Sequence, residues 1–142
     1  MMLKSILFLA TSAVGIVAQT VSVNTPRPGD TISASSPFTV EVQQAKIAGE
    51  VDEISIFIGI APCSGGSCDD VGQVLYNGAY DPQRDPNNIG KGLFEDFSVQ
   101  LPAGYPTGDS VLTVFHIADT QAPGGPLVPI FDSTTISVTV ST

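Results

Sequence analysis

Isoleucine occupies every second position from Ile54 to Ile60, with Ser55, Phe57 and Gly59 between. Side chains alternate across the two faces of an extended strand, so the pattern lays four β-branched residues on one face. A helix would scatter them around its axis. The stripe predicts a strand whose Ile54, Ile56, Ile58 and Ile60 face a core. The same period returns at Val21 and Val23, at Phe38, Val40 and Val42, at Phe97, Val99 and Leu101, and at Ile136, Val138 and Val140. A shorter run lies between Val74 and Tyr80. Val111 to Ile117 is apolar on both faces, as a central strand would be. Seven or eight strands result, with the eleven prolines and fourteen glycines mostly between them, as in the turn cluster from Pro26 to Asp30. The single helix candidate, Gln44 to Val51, is interrupted by Gly49. The predicted fold is all-β: an immunoglobulin-like antiparallel β-sandwich in a single domain. There is no tryptophan, and the two cysteines are too close in sequence to link two sheets. A fibronectin-type or bacterial immunoglobulin-like Greek key is the nearer analogue.

The first eighteen residues read as a secretory signal peptide. Lys4 gives a positive start, Ser5 to Ala18 is apolar and ends in small residues, and cleavage is expected between Ala18 and Gln19. That leaves residues 19–142 as the sandwich domain. Lys4 leaves with the leader, so four basic residues face fourteen acidic ones, a net of −10. Such a balance argues against nucleic acid and anionic membrane surfaces as partners. No apolar tail follows Val140, so no lipid or membrane anchor is expected. Asn24-Thr25-Pro26 is spoiled as a glycosylation site by its proline. In a secreted chain Cys63 and Cys68 are expected to pair with each other. A loop this short removes only about 2 kcal/mol of unfolded-state entropy, so the bond orders the loop more than it supports the domain.

Candidate chemistry is sparse. A Ser-His-Asp triad would need His116, the only histidine, but it sits inside an apolar strand run and no Gly-X-Ser-X-Gly elbow is present. A hydrogen-bonded structural histidine is the better reading. Carboxylates for glycoside hydrolysis could come from Asp69 and Asp70, Asp81 and Asp85, or Glu95 and Asp96. Neighbours on a strand point to opposite faces, which separates the last pair. Asp81 to Asn88 could gather oxygen ligands for calcium, but Asx turns explain the same residues. Zinc lacks ligands, and a copper monooxygenase would need histidine where Gln19 stands. No cofactor or metal is expected.

Two long irregular stretches, Pro62 to Val71 and Tyr80 to Leu93, are the candidate binding loops. Both flank the short run around Leu75, so they are expected to form one surface. Tyr76, Tyr80 and Arg84 are the candidate partner-binding residues, being of the types that dominate interface energetics.

Arg27-Pro-Gly-Asp30, Ile58-Gly-Ile-Ala-Pro62, Gly72-Gln-Val-Leu-Tyr-Asn-Gly78 and Asp96-Phe-Ser-Val99 follow one another in that order. Asp109 to His116 and a terminal Thr-Ile-Ser-Val-Thr-Val140 complete the series. This order resembles the necrosis-inducing secreted protein family of fungal effectors over nearly the whole mature chain. The resemblance implies a secreted, non-enzymatic fungal protein with no catalytic residues; a monomer is expected. It implies a host protein as partner, with plant immune receptor-like kinases the family's targets, and suppression of pattern-triggered immunity or cell death as the outcome. The host cytoplasm is then a further destination beyond the extracellular space. The competing readings are a wall- or carbohydrate-associated protein, disfavoured by the scarcity of aromatics, and a small hydrolase.

Overall fold

A computed structural model describes residues 19–46, 49–68 and 71–142. The expected leader and the Asp69–Asp70 pair lie outside the described residues. Nine strands follow in order: β1 (Val21–Thr25), β2 (Thr31–Ser33), β3 (Phe38–Gln44), β4 (Glu50–Pro62), β5 (Gln73–Gly78), β6 (Gln83–Arg84), β7 (Leu93–Val99), β8 (Gly108–Gln121) and β9 (Leu127–Ser141). They form a four-stranded sheet, β1-β3-β7-β6, and a five-stranded sheet, β2-β9-β8-β4-β5. The fold is a β-sandwich in the general sense. Every pairing is antiparallel except one: β2 runs parallel to β9, with Ile32 opposite Val140. The expected sandwich was antiparallel throughout; this short strand enters beside β9 after the Arg27–Asp30 turn, where Arg27 N donates to Asp30 Oδ2. Residues 47 and 48 of the helix candidate lie outside the described residues, and its two ends are strand. Gln44 ends β3, and Glu50 and Val51 begin β4.

The core lies between the sheets. Val40, Val42, Phe97 and Val99 point inward from one, and Ile56, Ile58, Ile60, Leu112, Val114 and Val138 from the other. Full burial of each large aliphatic side chain contributes roughly 1.5–3 kcal/mol. One member of the isoleucine stripe departs from expectation. Glu53 pairs with Ala118 and Ser55 with Ile117, so Ile54 is the extra residue of a β-bulge. Ile54 is 50% exposed and faces away from the core.

Two glycine sites fix the path between β4 and β5. Gly65 and Gly66 have φ of 61° and 83°. They form the two-residue turn of a small hairpin in which Ser64 and Ser67 exchange both backbone hydrogen bonds, at 3.0 and 3.1 Å. Farther on, Gly72 has φ of +66°, and a Cβ there would come within 2.1 Å of the Ile60 carbonyl oxygen. Only glycine lets the chain turn onto β5 so close to β4.

Candidate functional site

The first candidate loop is closed by a Cys63–Cys68 disulfide immediately outside the Ser64–Ser67 hairpin. Cys63 N donates to Asp109 O at 2.8 Å, tying the loop to the start of β8. The loop borders a shallow groove together with Gly29, Pro106 to Ser110 and Ser137 to Thr139. The second candidate loop carries β6 and borders a different groove, with Lys46, Arg84 and Lys91 along it. The two grooves share no residue. The two loops therefore border separate grooves, not the single surface expected. One groove includes Val51 at the start of β4 and the other Pro62 at its end, about 35 Å apart along an extended strand.

Three of the four basic residues of 19–142 line the second groove. Lys91 is engaged: its Nζ lies 2.6 Å from Glu41 Oε2 and 3.5 Å from the Phe94 ring centroid. Burial alone would raise the Glu41 carboxyl, but hydrogen bonds from Lys91 and Asn24 and the Lys91 charge outweigh it and hold Glu41 below the usual carboxylate range. Lys46 and Arg84 are exposed. The loop's acids are spent on turns. Asp85 Oδ1 accepts from Asn87 N at 2.8 Å, and Asp81 Oδ1 accepts from Gln83 Nε2 at 2.8 Å. No cluster of metal-ligating side chains is present among the described residues.

The three candidate partner residues separate. Arg84 is exposed on β6. Tyr76 is half-buried, packs tilted against Phe97 with centroids 4.6 Å apart, and donates its hydroxyl to Ala79 O at 2.9 Å. Tyr80 is 3% exposed, which moves it from a contact surface into the core. Its hydroxyl donates to Val42 O at 3.2 Å, and burial, with Glu53 and Glu95 nearby, pushes its phenol far above the ordinary value. Aromatic bulk adjoining a loop was legible from sequence; its direction was not.

His116 is buried, as a structural histidine should be. Its Nδ1 lies 3.0 Å from Thr20 Oγ1, and its Nε2 is hydrogen-bonded to Glu53. Asp132 Oδ2 accepts from Thr20 N at 2.5 Å and from Thr20 Oγ1 at 3.0 Å. Tyr80 covers the imidazole edge-on, with centroids 5.5 Å apart. The constellation of hydroxyl, imidazole and carboxylates has the chemical types of a hydrolase. It lies between the sheets, however, and neither groove includes any of its members. It fastens the start of β1 to β4, β8 and β9.

A family model described as the Nis1 family matches residues 17–137. No curated protein shows significant sequence similarity to the chain. Two solved structures are similar in backbone course. CopC from Methylosinus trichosporium OB3b is 18% identical, over 81% of this chain and 85% of that one, with a TM-score of 0.38. A cellulose-active polysaccharide monooxygenase from M. thermophila is also 18% identical, over 80% of this chain and 54% of that one, with a TM-score of 0.46.

Proposed function

The chain belongs to the Nis1 family of small secreted fungal proteins, and from that premise we propose that it is an effector-like protein that binds a host protein and damps host immune signalling. Membership over residues 17–137 is the observation that carries this reading. It supports a secreted, non-enzymatic protein, and the burial of His116 agrees with binding as the mode of action. In this reading residues 1–18 are removed on export and 19–142 act as one immunoglobulin-like unit. Support for that class comes from the way successive strands pass between sheets, β3 to β4 and β7 to β8. Plant immune receptor-like kinases are the partner class, and suppression of pattern-triggered immunity or cell death is the consequence. Arg84 stands as a partner contact at the rim of its groove.

The test uses protein collected from culture medium. It is immobilised and exposed to plant extract, and in parallel mixed with insoluble chitin and β-glucan. Retention of a host protein, no retention on polysaccharide and a reduced oxidative burst in elicited leaf tissue are expected. Retention on polysaccharide alone would replace this reading with that of a wall-associated protein. With a net of −10, binding to a basic partner should weaken as salt rises.

A further inference from the structure

We propose that the outer face of the five-stranded sheet is a docking surface for a partner protein that presents lysine or arginine beside apolar side chains. This deepens the reading above and rests on it for the identity of the partner as a host protein. The strand registers place Phe57 opposite Phe115 and Ile117 opposite Phe131. Phe57, Phe115 and Ile117 alternate with the buried Ile56, Ile58, Val114, His116 and Ala118, and Phe131 pairs with Ile117, so all four stand on the side away from the core. Phe131 is 73% exposed, Phe115 39% and Val74 58%. The bulge adds Ile54 to the same side. The Phe57 and Phe115 rings meet edge to face at 6.0 Å, forming an aromatic centre. The other sheet covers only the inner side. Exposed apolar area of this kind marks an interaction site more often than an ordinary surface.

Charge selects the occupant. β2, β4, β5, β8 and β9 contain no lysine or arginine. Along the far end of the same face stand Glu50, Asp52 and Asp119, with Asp52 directly opposite Asp119. Like charges in a cross-strand pair are unfavourable, and no cation of the sheet relieves them. A partner bearing cations next to an apolar patch would relieve the repulsion and cover the aromatics together. A second copy would bring acidic rim to acidic rim, because a two-fold interface uses the same patch on both subunits. An anionic lipid surface would be repelled.

Protein collected from medium is titrated with an octapeptide of four leucines flanked at each end by two lysines, and with its glutamate counterpart, while amide shifts are followed by NMR. The lysine peptide should shift amides of β4, β8 and β9 around Phe57, Ile117 and Phe131, and the glutamate peptide should not. Phe131→Ser, at an exposed site, should keep its melting midpoint and weaken binding about tenfold or more. The double variant Asp52→Lys, Asp119→Lys replaces one like-charge pair by another and should exchange the preference for the two peptides. Shifts confined to the Arg84 groove, or none, would overturn the proposal. So would a dimer abolished by Phe131→Ser, which would make the face a self-interface, or phosphatidylcholine vesicle binding abolished by it, which would make the face a lipid site. The leaf assay separates the two levels. If the wild type suppresses the burst and both folded variants suppress it equally, the docking proposal fails and the effector reading stands. If the peptide results hold and the wild type leaves the burst unchanged, the effector reading fails and the face remains a basic–apolar docking surface.

Discussion

Ile54 and Ile58 have the same side chain and lie on the same strand, yet the bulge between Glu53 and Ser55 turns one outward while the other is sealed in the core. Ile58→Ala should cost roughly 2–5 kcal/mol, and Ile54→Ala should stay within about 0.5 kcal/mol. Urea denaturation of both variants decides this; equal losses would mean that Ile54 is buried. The stripe was legible because alternation records burial. The bulge was not, because an extra residue in one strand is defined only by its partner strand. Glu41 offers a second test. Its carboxyl is depressed in the fold, so the folded state binds fewer protons there than the unfolded chain. The stabilisation is complete above the unfolded value and is lost as pH falls through the folded one. The stability advantage of the wild type over Glu41→Gln should therefore shrink on acidification below the ordinary carboxylate range. An advantage independent of pH would remove the Lys91 pair as its source.

At the scale of elements, the disulfide hairpin is the most local unit of the fold. Its cysteine pairing was legible in sequence, because a loop this tight is specified by the residues within it; the Ser64–Ser67 bridge is a finding of the fold. The double variant Cys63→Ser, Cys68→Ser should remain folded and lose about 2 kcal/mol. Loss of cooperative melting would show that the loop holds β4 against β8 more strongly than its length implies. Two elements escaped sequence reading. β2 and β6 have three and two residues, too few to show a period, and they exist because β9 and β7 offer partners. The same lack of long-range information led to the joint surface expected for the two loops. Nearness to β5 in sequence did not indicate that their grooves border opposite ends of β4.

Across the whole molecule, charge and apolar surface are partitioned. Lys46, Arg84 and Lys91 gather along one groove, and the five-stranded sheet carries acids and exposed aromatics with no cation. The apolar second face of Val111 to Ile117 predicts a strand covered on both sides. Among the described residues only the inner side is covered by the other sheet. That mismatch was present in the sequence, but its meaning required knowing that no third layer packs outside among the described residues. The central claim is that the protein acts by presenting this outer face to a host protein. Hydrogen–deuterium exchange on the complex captured from plant extract tests it most directly. Slower exchange is predicted in β4 from Ile54 to Phe57, in β8 from Phe115 to Asp119 and in β9 around Phe131. Protection confined to the Arg84 groove, with the outer face exchanging as in the free protein, would contradict it.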